Sequence, residues 1–332
     1  MILMYFCTIK KTGKMNLVRF VKNWILPIAM AFGVIAYFLY VNIPFLEPTR
    51  PFVARMVEIV QPLLIFCMLF LTFCRVDVKD LHPCKWHLWL LLIQLGAFGI
   101  LSFVASLLPN NDYRVLMEAA MLCLICPTAT AAAVAVRKLK GNPASVTTYT
   151  ILINLMVSVA IPLCAPLVHP HPEMSFLSSF LLIIGKVFPL LLCPFVCALL
   201  LRQLLPAVHV RLASFADLSF YLWAVALSLA IAMTVKTIVH SDMSWVLQAG
   251  IALVSLVCCV LQFAVGKYVG SRYGDTVTAG QALGQKNTVL IIWISYTFFT
   301  PITSIAGGFY SVWHNLINSW QLFQQRKLDE KK

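Results

Sequence analysis

The sequence predicts an all-α polytopic membrane protein: ten transmembrane helices in two five-helix halves of opposite orientation, with the fourth helix of each half broken. Three observations predict it. Hydrophobic residues make up 61% of the 332 residues and charged residues only 11%. A water-soluble domain carries about twice that charge, so these apolar residues must face lipid as well as one another. They fall into ten runs of about 20 residues, the length that crosses a bilayer as a helix. Two of the runs, at matching places in the two halves, are interrupted by proline, glycine and polar residues, a pattern that points to a transport site.

The runs are bounded by charged and turn-forming residues. They cover about 24–45, 57–74, 88–108, 115–136 and 145–168, then 176–205, 218–239, 245–269, 278–298 and 301–323. The sixth holds Pro189 and Pro194 inside a helical pattern, where proline bends a helix by removing a donor. Residues 1–23 read as a basic cytoplasmic leader. The run after them is too long for the apolar part of a signal peptide, and no small-residue cleavage site follows it. An outer loop at 169–175, with His169 and His171, separates a first half at 24–168 from a second at 176–323, and 324–332 form a cytoplasmic tail. Five spans per half place the halves in opposite orientations, the basis of an inverted repeat.

Charge placement tests the count. With the first residue inside, the inner side receives Lys10, Lys11, Lys14, Arg19 and Lys22, then Arg75, Lys79 and Lys85, then Arg137, Lys138 and Lys140. Arg202, Arg211, Lys267 and Arg272 follow, and last Arg326, Lys327, Lys331 and Lys332. The outer side receives only Arg50, Arg55, Arg114 and Lys236. Positive loops stay on the cytoplasmic side, so both termini are expected there. The net charge of +13 is spread over helix ends rather than gathered on one face, which excludes a nucleic-acid partner. Trp24, Trp86, Trp89, Trp245 and Trp320 lie near span ends, where the indole suits the interface. The eleven cysteines show neither framework spacing nor a metal-type pair and read as small buried hydrophobes.

Two segments carry chemistry. In span four, Cys126-Pro-Thr-Ala-Thr-Ala-Ala-Ala133 puts a proline inside a helix next to small residues that let another backbone pass closely. Thr128 and Thr130 can satisfy freed backbone groups or face a ligand; taken alone, the segment reads better as an ordinary proline kink. In span nine, Gly280-Gln-Ala-Leu-Gly-Gln-Lys-Asn-Thr288 places Gln281, Gln285, Lys286 and Asn287 within hydrocarbon. A lysine there costs roughly 3 kcal/mol, so the segment must face protein or water. Two basic residues fall inside spans, Lys186 and Lys286. Lys186, beside Pro189, either lines a cavity and attracts an anion or reaches to the interface.

These segments resemble the bile acid:sodium symporter family, over roughly spans two to ten. The stretch from Cys126 to Gly141 is similar to that family's Cys-Pro-Gly-Gly-Thr-Ala-Ser-Asn stretch and the Lys-Gly after it. Gly284-Gln-Lys-Asn287 falls where the family has Glu-x-Gly-x-Gln-Asn, and Ser311-Val-Trp-His-Asn315 is similar to a signature of bacterial members. The resemblance implies ten helices, a core domain in which broken spans four and nine cross, a panel domain of spans one, two, six and seven, and a bacterial inner-membrane location. It implies an organic anion as substrate, either a small carboxylate or an amphipathic acid, carried by alternating access. His314 and Asn315 are implied to face the crossing.

The family's sodium positions are altered. Its Ser-Asn pair in span four stands here as Ala132 and Ala133. Of two hydroxyls in span five, Thr150 remains and the other is Val146. The shared glutamate of span nine aligns with Ala282, and a glutamine four residues later with Lys286; a shift of one residue would instead use Gln281 and Gln285, without restoring a carboxylate. Gln94 aligns with a span-three glutamine. Sodium needs several oxygen ligands and alanine offers none, so no metal is expected at these positions and the coupling ion is expected to be a proton or absent. An unpaired amine in the membrane can be charged in one state of a cycle and neutral in another, which makes Lys286 a candidate replacement for sodium; alternatively it reaches to the interface. A conventional sodium symporter and a non-transporting anion sensor are the competing functions, and the short predicted tails count against the sensor. No enzyme motif or catalytic cluster is present. No cofactor is implied, the partners are the bilayer and a small organic anion, and a monomer is expected.

Overall fold

The computed structural model describes residues 17–170, 173–215 and 218–330. Lys10, Lys11, Lys14, Cys7, His171, Lys331 and Lys332 lie outside the described residues, as do the side chains of Arg19, Lys22 and Trp24. The described chain is helical, with thirteen α-helices among the described residues: α1 Leu17–Asn42, α2 Arg50–Phe73, α3 Lys85–Leu107, α4 Asp112–Ile125, α5 Ala132–Lys138, α6 Pro143–Val168, α7 Phe176–Leu204, α8 Pro206–Ser214, α9 Leu218–His240, α10 Trp245–Ser271, α11 Thr276–Gly284, α12 Thr288–Phe298 and α13 Ser304–Asp329. The first helix thus begins inside the stretch read as a leader.

Among the described residues, six segments are long and apolar enough to cross a membrane: Pro44–Phe73, Lys85–Leu107, Pro143–Val168, Phe176–Leu204, Tyr221–His240 and Trp245–Ser271. The expected fourth and ninth spans are each interrupted, into α4 with α5 and α11 with α12. At 1.5 Å per residue, the 14 residues of α4 rise only about 21 Å, short of a hydrocarbon core of about 30 Å. Neither half of a broken span qualifies alone.

Helix starts follow local chemistry. Asn142 caps α6 by accepting from the backbone N–H of Ala144 and Ser145, both at 3.1 Å, with Pro143 at the first helical position, where its missing donor is not needed. Ser175, Ser244 and Asn111 cap α7, α10 and α4 in the same way. Helix α3 shows the membrane pattern: Trp86, Leu90, Gln94, Phe98, Ser102 and Ala105 are buried at helical spacing, while Leu88, Leu92, Ile100 and Phe103 are exposed, as suits a lipid face.

Helix α9 packs against α1 and α2, and α2 against α7, forming one layer. The second body holds α3, α4, α6 and α10 to α13, with α11 lying along α10 and α13 touching α4, α10 and α12. The α10–α11 approach requires Gly266: a Cβ there would sit 2.5 Å from the Ala279 carbonyl oxygen. Contacts of α7 with α6, α2 with α12 and α9 with α13 join the layers. All ten described cysteines are free.

Candidate functional site

An α-helix leaves its last carbonyls without intrahelical partners, and the aligned peptide dipoles make that end negative. Helix α4 ends at Ile125 inside the protein, so these carbonyls need donors from elsewhere. The Cys126 N–H bonds Leu122 O at 3.3 Å. Gln262 Nε2 from α10 donates to Cys123 O at 3.2 Å. The Lys286 ammonium donates to Leu124 O at 3.4 Å. Gln94 Nε2 from α3 donates to Ile125 O and Cys126 O, both at 2.9 Å. Its own Oε1 accepts from the Tyr149 hydroxyl at 2.9 Å. Side chains from three other parts of the chain thus close the broken end of α4.

The two breaks pair with each other. Thr128 and Lys286 form an antiparallel bridge, with Ala129 N–H to Gln285 O at 2.8 Å and Asn287 N–H to Pro127 O at 2.9 Å. Thr128 Oγ1 donates to Ala282 O at 2.6 Å and Tyr310 OH to Gly284 O at 2.9 Å, which satisfies carbonyls at the end of α11. Asn287 then caps α12 through Leu290 N–H at 3.4 Å. Gly284 is required here: a Cβ would lie 2.4 Å from the Phe263 ring. The negative ends of α4 and α11 therefore converge on one point, and Lys286, 1% exposed, sits there. Among the described residues it forms no ion pair, so carbonyl dipoles answer its charge.

The model of the sodium bile acid symporter family matches residues 62–241, more than half of the chain. The chain belongs to the sodium bile acid symporter family. It is accordingly a multi-pass membrane transporter. The search of curated proteins finds no match. In this family member the matched segment includes the first break and ends before the second.

The positions at which the resemblance expects sodium ligands hold apolar side chains or side chains already hydrogen-bonded. Ala132, Val146 and Ala282 are buried with apolar side chains, and Ala133 is half-buried. Thr150 donates to Val146 O within its own helix at 2.8 Å. Gln94 spends its donor on α4 and its acceptor on Tyr149.

The other expected residues divide. Thr128, Gln285, Lys286 and Asn287 meet at the crossing. Lys286 does not reach the interface, because its ammonium is held on Leu124 O. Gln281 turns the other way, donating to Asn318 Oδ1 at 2.9 Å and Gln321 Oε1 at 3.1 Å. Thr130 is half-buried in the turn before α5. Asn315 is half-buried and donates to Ser311 O in its own helix at 2.7 Å, so it does not join the crossing, whereas His314 is fully buried against Tyr310. Lys186 is exposed on α7, its ammonium 6.0 Å from the centre of the Phe298 ring. Tyr149, Gln262 and Tyr310 complete the site. Gln262 carried a readable signal, a polar amide inside an apolar span; the two tyrosines carried none.

A cavity of about 450 Å³ lies away from the crossing, among Asp80, His82, Lys85, Asn142, Tyr273 and Asp275. It gathers the connections α2–α3, α5–α6 and α10–α11. Within α4, Glu118, 2% exposed, pairs with Arg114 at 3.1 Å and lies 2.9 Å from His169 Nε2. Arg114 also donates to Val168 O, tying α4 to the end of α6.

Proposed function

We infer that this chain carries an organic anion, a small carboxylate or a bile-acid-like amphipathic acid, by alternating access without conventional sodium coupling, and that Lys286 stands in for the cation. The reading includes ten spans in two inverted halves, both termini in the cytoplasm of a bacterial inner membrane, and a monomer that needs no cofactor. The observation that carries it is the ammonium of Lys286 on the carbonyl end of α4, at the meeting point of two broken helices. A helix C-terminus stabilises a cation. Where the resemblance expects oxygen ligands for sodium, this chain has alanine and valine, and its second broken helix carries a lysine. An ionisable group held in the membrane with no carboxylate marks a pathway for ions or protons. The substrate-facing residues in this reading are Thr128, Thr130, Gln285 and Asn287, with Gln281, Gln94, Thr150, His314 and Asn315 supporting them.

Reconstitution tests it. Protein in proteoliposomes is given a labelled bile acid or a labelled short carboxylate under a sodium gradient or a proton gradient. The account expects uptake that ignores sodium, varies with pH and is lost in Lys286→Ala. Uptake that requires sodium and survives Lys286→Ala would make the chain a conventional sodium symporter.

A further inference from the structure

We propose that one face of α13, together with Gln262 of α10 and Gln281 of α11, is a hydrated proton path joining the inner membrane surface to the crossing, with His314 as its central station. This rests on the reading of Lys286 as a group that gains and loses a proton. Tyr310, His314, Asn318 and Gln321 recur at four-, four- and three-residue spacing, so they form one helix face; from first to last it rises about 16 Å. All four are buried. At its deep end, Tyr310 OH donates to Gly284 O and accepts from Gln262 Nε2 at 3.0 Å. Gln262 also holds Cys123 O, the carbonyl beside the one that holds Lys286. At the other end, Gln281 bridges Asn318 and Gln321. His314 lies between, its ring 5.7 Å from that of Tyr310.

The face carries more polar atoms than its protein partners satisfy. Both ring nitrogens of His314, Gln262 Oε1, Gln281 Oε1, Gln321 Nε2 and Ser311 Oγ are buried without a partner. A buried polar atom left without a hydrogen bond is unfavourable, and small buried waters are the usual remedy. Six such atoms along one seam mark a place for a file of water. Imidazole accepts a proton at one nitrogen while releasing one from the other, so it can pass a proton along the file and be restored by a ring flip or a return transfer. The groups facing the deep end are the thiols of Cys258 and Cys259 on α10 and Cys123 on α4, with Lys286 in the crossing. Helices α9 and α12 present Thr234, Ile291 and Ile292 to the first turns of α13, and α12 also sets the titratable Tyr296 hydroxyl against Ser304. Among the described residues His314 forms no ion pair with a carboxylate.

Two measurements on the full-length protein test this. Hydroxyl radicals generated from water by X-rays label side chains that touch water. His314, whose two ring nitrogens have no partner, should label far faster than Tyr149, which is equally buried and has its hydroxyl closed by Gln94. Labelling no faster than Tyr149 would overturn the path. In heavy-nitrogen lysine NMR, the Lys286 signal is the one missing from Lys286→Gln, and its exchange with deuterated water is timed. His314→Phe should slow that exchange roughly tenfold or more, and His314→Gln, which keeps polar atoms for water but cannot take up and release a proton, should slow it as well. Equal exchange in wild type and His314→Phe would overturn the path. A Lys286 signal that never titrates would instead overturn the lysine reading on which it rests.

Discussion

Gln94 separates two accounts of this protein, because the family resemblance makes it a sodium ligand and the structure makes it a cap. Replacing it with leucine keeps the volume and removes three hydrogen bonds: two to the carbonyls of Ile125 and Cys126, and one from the Tyr149 hydroxyl. Each group left unsatisfied in a buried site costs about 1–3 kcal/mol, and the added apolar burial returns about 2 kcal/mol. The net loss is therefore about 4 kcal/mol, taking the middle of those ranges for three groups. Unfolding entropy of roughly 2 cal/mol/K per residue over 332 residues gives about 0.7 kcal/mol/K, so the thermal midpoint falls by roughly 6 °C. The fall should be the same in sodium and in potassium. Tyr149→Phe should cost about 1 kcal/mol alone, and the double variant should cost less than the two single losses together, because the hydroxyl and its acceptor go at once. The assay is a thermal melt in detergent in both salts. A Gln94→Leu midpoint within a degree of wild type in potassium, with a loss seen only in sodium, would refute the cap and restore the ligand.

Other expectations follow from the same geometry. Gly284→Ala drives a Cβ into the Phe263 ring and should destabilise by about 1–3 kcal/mol, whereas Gly96→Ala, with open space around it, should leave the melt unchanged. Arg114→Met strands the buried Glu118 carboxylate and should cost about 3–5 kcal/mol; adding Glu118→Met should recover much of that, measured by the same melts. In the α2–α3 loop, the Lys79 N–H and the Arg202 guanidinium hold the Asp77 carboxyl below its usual value of 3.8. Its contribution is therefore present above pH 3.8 and lost as pH falls through the lowered value. The acid limb of wild-type stability should flatten in Asp77→Asn; an identical acid limb would refute that role.

Much of the helix layout was legible because bilayer thickness fixes span length, and capping residues such as Asn142, Ser175 and Ser244 stand where helices begin. The two breaks were legible for a different reason: polar residues in hydrocarbon are unfavourable, so their presence at 285–287 marked a site. What they pair with was not. The ribbon joining Thr128 to Lys286 uses backbone groups that every residue carries, so side-chain identity does not encode the partner. Direction within a polar cluster was hidden for a similar reason. Gln281 and Gln285 are both buried and, four residues apart, would share one face of an unbroken helix; α11 ends at Gly284, so Gln285 leaves it in an extended conformation at the crossing while Gln281 reaches Gln321. Asn315 sits next to His314 in sequence, but adjacent residues on a helix point about 100° apart, so a shared motif did not give a shared site. Tyr149 escaped notice because a tyrosine in an apolar run looks like packing until its hydroxyl is seen on Gln94.

The central claim is that a built-in ammonium has taken the place of sodium. Its most direct test needs no substrate: the thermal midpoint of the purified protein in sodium against potassium or choline, at fixed ionic strength and across pH. A ligand that binds only the folded state raises the midpoint by mass action. The account predicts no sodium-specific rise, and a pH-dependent midpoint that disappears in Lys286→Gln. A saturable rise specific to sodium would contradict it, and would mean that sodium binds this fold without the ligands at Ala132, Ala133, Val146 and Ala282.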